Sequence, residues 1–132
     1  MKYLLDTHVF LWSFGKPDEL SRKASSAIKN EDNEIFVSTI SLWEISIKVR
    51  IGKLELKGID IQDLPGIIKK MDYQIINLET KDSIEYSLLK EDTHNGPFDR
   101  MLIQQSINRN MTMISRDKEF KKFAQYGLKL IW

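Results

Sequence analysis

Short, near-continuous apolar runs, separated by stretches that carry helix signals, leave this chain few ways to fold. The runs are residues 2–6 (KYLLD), 34–38 (EIFVS), 73–78 (YQIINL), 111–115 (MTMIS) and 128–132 (LKLIW). They do not alternate apolar with polar, so they read as strands covered on both faces. Asp6-Thr7 caps a helix over 8–14, and Ser21 caps one to about 30. A strongly apolar helix opens at Thr39 and runs to 51, where Gly52 stops it. A weaker helix over 60–72 is expected to break at Pro65-Gly66. Thr80 caps a helix to 91 with Ile84, Leu88 and Leu89 turned inward. Pro97 suits the first turn of a helix to about 110, and a short helix follows over 118–123. Strand–helix alternation of this kind predicts an α/β fold in three layers, α/β/α, around a mostly parallel sheet of about five short strands.

At 132 residues the expectation is a single domain spanning 1–132, with no internal boundary, repeat or linker. A domain of this length buries about 70% of its unfolded surface, enough for a self-sufficient core. There are no cysteines, which excludes disulfides and thiolate metal sites. No apolar run approaches the ~20 residues of a membrane span. The N-terminus reaches Asp6 before a signal-peptide core could form, so a cytoplasmic location is expected. The net charge of +1 provides no global field for nucleic acid. Any such binding rests on local groups, such as Lys48 with Arg50 and Lys53, or Lys118 with Lys121 and Lys122. Lysine pairs on helices also read as solvated faces.

Carboxylates carry the chemistry. Asp6 ends the first strand and Asp117 lies two residues past the fourth. Asp99 sits in the first turn of the helix that leads into the fourth strand, and Glu44 lies on the apolar helix after the second. Open parallel sheets bind ligands beyond the carboxyl ends of their strands, where these acids would gather. Crowded carboxylates repel, and burial makes each costlier to charge. A divalent cation would neutralise them and support chemistry on a phosphate. Each acid also has a separate structural reading. Asp6 and Asp117 can cap helices, Asp99 can complement a helix dipole, and Glu44 can pair with Lys48. One metal site accounts for all of them together. Thr7 and Ser115 are candidate pocket hydroxyls, with capping as the alternative. Arg100 is a candidate phosphate contact, with a salt bridge that positions its helix as the alternative. His8 and His94 read as loop or cap histidines with a local hydrogen bond, with general-acid chemistry as the alternative. Tyr73, Tyr86 and Tyr126 read as packing residues, with stacking on bases as the alternative. The run Phe10, Leu11, Trp12 and Phe14 exceeds what one short helix can bury, which leaves apolar surface for a partner.

These residues resemble the PIN domain. The carriers are Asp6-Thr7-His8, Leu42-Trp43-Glu44-Ile45 with Lys48, His94-x-x-Pro97-Phe98-Asp99-Arg100, and Ser115-x-Asp117. Together with residues 47–56 (IKVRIGKLEL) and the terminal Leu130-Ile131-Trp132, they look like the toxin ribonucleases of VapC-type toxin–antitoxin pairs. The resemblance covers essentially the whole chain. It implies a single PIN-like nuclease domain over 1–132, with a Mg²⁺ or Mn²⁺ site formed by Asp6, Glu44, Asp99 and Asp117. It also implies endonucleolytic hydrolysis of RNA phosphodiester bonds and a cognate antitoxin. A homodimer is expected. Members of this branch often carry an aspartate where this chain has Asn95 or Gly96, whereas the core acids are intact. The competing expectations are a non-catalytic PIN-like scaffold for RNA or protein, and a metal-dependent DNA nuclease.

Overall fold

Each of the apolar runs forms a strand. The computed structural model describes residues 1–132. The strands are β1 (Lys2–Leu5), β2 (Glu34–Ser38), β3 (Gln74–Ile76), β4 (Thr112–Ile114) and β5 (Lys129–Ile131). They build one sheet of order β3-β2-β1-β4-β5. Every pairing is parallel, so the sheet is wholly rather than mostly parallel. In register, Tyr3 lies beside Ile35 on one side and Thr112 on the other.

Side chains alternate across the sheet with a period of two. Tyr3, Leu5, Ile35, Val37 and Ile114 enter one apolar cluster, while Leu4, Phe36 and Met113 enter a second. Both faces are therefore dry, as the near-continuous apolar runs require. The first cluster is completed by α1 (Thr7–Gly15), α2 (Arg22–Lys29) and α4 (Leu64–Lys70), which supply Val9, Phe10, Ala24, Leu64 and Ile68. The second is completed by α6 (Pro97–Asn108) and a 3-10 segment, Lys118–Tyr126, through Leu102, Ile103, Phe120 and Phe123. Helix α3 (Thr39–Arg50) serves both, with Ile45 in the first cluster and Ile40 in the second. That double duty is why its sequence is apolar nearly all round.

The chain departs from the sequence expectation in the following places. Pro65 does not break the fourth helix. It stands in its first turn, after a 3-10 turn over Ile61–Asp63, where its missing N–H costs nothing. The helix over 80–91 is shorter: α5 covers Thr80–Glu85, a 3-10 turn covers Tyr86–Leu88, and Leu89 is extended. Buried Arg100 explains this stop. Its guanidinium donates to the carbonyls of Leu89, Glu91 (2.5 Å) and His94 (2.9 Å), so those groups are satisfied without a helical ladder. Ile84 and Leu88 face solvent rather than the core, and Leu89 alone of that trio is buried. The buried member of α5 is Asp82, which accepts from Arg109 and Asn108 on and just beyond α6. The segment after Asp117 winds as 3-10 to residue 126, nine residues long, and ends at Gly127 with φ 103°. That left-handed backbone favours glycine.

Candidate active site

The strand order fixes where a site can form. From β1 the chain moves to β2 and β3 on one side, then crosses to β4 and β5 on the other. The crossover point lies between β1 and β4, and a crevice opens beyond their carboxyl ends. Asp6 follows β1 there. Its backbone N–H donates to the Ile114 carbonyl (3.0 Å), which ties the two strand ends together. Its Oδ1 accepts from the Thr7 N–H (2.7 Å), capping α1, and its Oδ2 accepts from Ser115 Oγ (2.7 Å). Ser115 also accepts from the Asp117 N–H (3.1 Å), so a single hydroxyl orients both ends of the crevice. Asp117 caps the 3-10 segment through the Glu119 N–H (2.9 Å).

Glu44 and Asp99 arrive from helices. Glu44 is buried on α3 with both oxygens engaged. Oε1 accepts from Thr7 Oγ1 (2.7 Å) and Oε2 from Lys48 Nζ (2.6 Å). Thr7 has one proton to give, so Ser41 Oγ, 2.9 Å away, donates to it in turn. Asp99 stands in the first turn of α6, its Oδ2 3.0 Å from His94 Nε2. A Cβ at Gly96 would come within 3.3 Å of that same oxygen, so the glycine leaves the Asp99–His94 pair uncrowded.

Asp6, Glu44, Asp99 and Asp117 line one cavity of about 360 Å³, together with His8, Val9, Trp12, Lys48 and Arg116. The acids sense one another. Burial pushes the Asp6 carboxyl up to about 6 against its two hydrogen bonds, and the charge of Asp99 adds to the rise. Asp99 is also raised, by burial first. Its His94 contact opposes the rise, and the charges of Glu44 and Asp117 reinforce it. No three of the chain's His, Asp and Glu side chains stand close enough to form a closed cation cage. The donor set is nonetheless all oxygen and opens onto solvent-filled space. That suits a hard cation such as Mg²⁺, which takes one or two carboxylates and keeps several waters.

The other expected residues divide. Thr7 and Ser115 lie behind the cavity wall and act through the carboxylates. Arg100 does not line the cavity and makes no salt bridge: it is spent on the 89–94 carbonyls and lies near the Tyr86 and Phe123 rings. His94 is a loop histidine with a local hydrogen bond, as its sequence context predicts: it holds Asp99 while its ring packs edge-on against Phe120 and Phe123. Tyr73, Tyr86 and Tyr126 all stand away from the cavity, in contact with Phe10, Arg100 and Phe123 respectively. Arg116 went unrecognised in the sequence. Its position between Ser115 and Asp117, at the carboxyl end of a central strand, was the available signal.

The fold agrees with what this chain is similar to. The PIN domain family model matches residues 3–126. VapBC2 from Rickettsia felis, solved bound to a DNA fragment from its promoter, aligns over 100% of this chain and 99% of its own, with TM-score 0.73 and 25% identity. DNA-bound VapBC from Salmonella typhimurium shares the fold at TM-score 0.64 and 15% identity, over 99% of this chain and 97% of its own. VapBC-5 from Mycobacterium tuberculosis, a member of the VapBC family of toxin–antitoxin systems, does so at TM-score 0.60 and 15% identity, over 98% and 95%. No curated protein matches the sequence. A family model spanning nearly the whole chain, on a fold shared with VapBC structures, means that the chain belongs to the PIN domain family.

Proposed function

We propose that this chain is a divalent-metal-dependent endoribonuclease, a hydrolase of RNA phosphodiester bonds, and the toxin of a toxin–antitoxin pair. The observation that carries the reading is the convergence of Asp6, Glu44, Asp99 and Asp117, from separate segments, on one cavity at the carboxyl edge of the sheet. The PIN match and the VapBC likeness support it. Residues 1–132 act as one nuclease domain. No helix is long and apolar enough to cross a membrane, which fits work on RNA in the cytoplasm.

In this reading Asp6 and Asp99 would hold the cation, Mg²⁺ or Mn²⁺, and Asp117 would meet it through a water. When bound, such a cation acidifies water and offsets negative charge on the phosphate. Ser115 and the Thr7 N–H fix the Asp6 carboxylate, and His94 fixes Asp99. Glu44 already has both oxygens engaged by Thr7 and Lys48, so it orients water rather than serving as a primary ligand. Lys48 and Arg116 are the cavity's long cationic side chains and meet the phosphate oxygens of the strand.

An apolar groove of about 260 Å³ adjoins the cavity, lined by Leu11, Phe14, Leu54, Leu56 and Ile59 among others. It is our candidate seat for the antitoxin. Trp43, Ile84 and Leu88 are each more than half exposed, which supports a homodimer.

Incubation of purified protein with a mixed RNA pool in Mg²⁺ or Mn²⁺ tests the reading. We expect cleavage that is lost with EDTA and in Asp6→Asn. Cutting that persists in both controls, or single-stranded DNA cut in preference to RNA, would overturn it. A folded protein that neither cuts RNA nor binds Mn²⁺ in a calorimetric titration would instead be a binding scaffold.

A further inference from the structure

Trp12 stands on the ridge between two hollows. It lines the carboxylate cavity on one side and the apolar groove on the other, and His8 does the same. Its indole is neither buried nor free. The His8 ring lies 5.8 Å from it, the Trp132 ring 6.1 Å, and the Arg116 guanidinium 5.4 Å from its centroid.

We propose that Trp12 is the stacking platform for an unpaired nucleobase beside the phosphate in the cavity, and that Arg116 shifts from the indole to the phosphate when the base arrives. The proposal rests on the nuclease reading above and names the substrate feature that the site selects. A chain of net charge +1 gains little from a general field, and the cavity floor is acidic. Affinity for RNA must come from the rim, where stacking and a few cations act locally. Trp12 is the large aromatic side chain that lines the cavity, beside the smaller ring of His8. Trp43 is paired with Phe98 elsewhere, and the tyrosines lie away from it.

The packing around Trp12 suits this role. Tilted contacts with His8 and Trp132 fix the indole before a base arrives, so little ordering remains to be done on binding. Arg116 is loosely held. Its ion pair with Glu19 is 3.5 Å long, and the two side chains are 61% and 48% exposed. Such a pair contributes little and yields readily to a phosphate, which the guanidinium fork matches better. A base in a duplex is already stacked and paired, so the platform accepts only an unpaired one. Every base has a π-face, so Trp12 selects single-strandedness and leaves sequence choice to other contacts.

The test uses a short RNA with 2-aminopurine at its centre, free or annealed to a complement, mixed with the Asp99→Asn protein in Mg²⁺ so that the RNA stays whole. We expect quenching of the free strand, lost with Trp12→Ala added, restored by Trp12→Phe, and absent for the duplex. In the otherwise wild-type enzyme, Trp12→Ala should raise KM for RNA by about 5- to 100-fold, with kcat nearly kept. Trp12→Phe should recover most of that loss, which separates stacking from a folding defect. Arg116→Ala should weaken binding and flatten its salt dependence. Metal-dependent cleavage with an unchanged KM and unchanged quenching in Trp12→Ala would overturn the proposal while leaving the nuclease intact. Quenching that depends on Trp12 in a protein that cuts nothing would keep the platform and sink the nuclease instead.

Discussion

Asp6 is held in a position that costs stability. Its carboxyl rises from an ordinary 3.8 to about 6, because burial and the neighbouring Asp99 charge disfavour ionisation. A folded-state value above the unfolded one means that the folded protein binds the proton more tightly. Raising the pH from about 4 to 6 therefore removes stability, on the order of 3 kcal/mol for this group. Asn caps helices as well as Asp does, and with its oxygen on the Thr7 N–H its amide N–H donates to Ser115 Oγ. We expect Asp6→Asn to abolish cleavage and yet raise the melting temperature at pH 7.5 in EDTA, with the gain gone by pH 4. A variant less stable than wild type at pH 7.5 would contradict this. Such opposition of stability and activity is usual where a site crowds like charges. At this scale the gathering of Asp6, Glu44, Asp99 and Asp117 in one cavity was legible, because strand ends, first helical turns and an acid on an apolar helix are positions that sequence periodicity locates. Arg100 was not. Its guanidinium bonds to carbonyls that follow no local pattern, and only the folded 89–96 segment reveals what it holds.

The least legible element was α5. Its apolar side chains, Ile84 and Leu88, face solvent, and its anchor is a buried acid. Asp82, 1% exposed, receives both guanidinium nitrogens of Arg109 (3.0 and 2.9 Å) and the Asn108 amide. Burial would raise its carboxyl, but these donors outweigh burial and hold it below the ordinary value. Periodicity arguments reward apolar faces, so they favoured Ile84 over Asp82. We expect Asp82→Ala to cost about 2–4 kcal/mol, because Arg109 loses a partner it was desolvated to meet. Urea unfolding measures this, and a loss below about 0.5 kcal/mol would show the pair to be idle. Because Asp82 is held low and Asp6 is raised, their pH effects oppose each other. The stabilisation from Asp82 is present above its unfolded value and lost as pH falls through its folded one. In EDTA, stability should therefore climb as pH drops from 7 towards 5, then fall in more acid solution. A steady decline from pH 7 downwards would contradict the account.

The whole molecule combines an all-parallel sheet, dry on both faces, with one charged crevice at its crossover. The architecture was legible because apolar runs of four to six residues, spaced by capped helices, admit few alternatives. Assembly is the property that such patterns do not display, since an exposed apolar side chain looks the same in sequence as a buried one. Trp43 is 59% exposed and packs edge-on against Phe98. We expect light scattering at micromolar concentration to give a dimer, and Trp43→Glu to give a monomer that is still folded. A monomeric wild type would contradict the dimer. The central claim is that the acids of the crevice work as one unit, and paired variants test it most directly. The measurement is kcat/KM for RNA cleavage by Asp6→Asn, Asp99→Asn and the double variant. One shared site predicts that each single change costs at least about 100-fold and that the double costs little more than either alone. Single variants that stay close to wild type, or losses that multiply in the double, would contradict it.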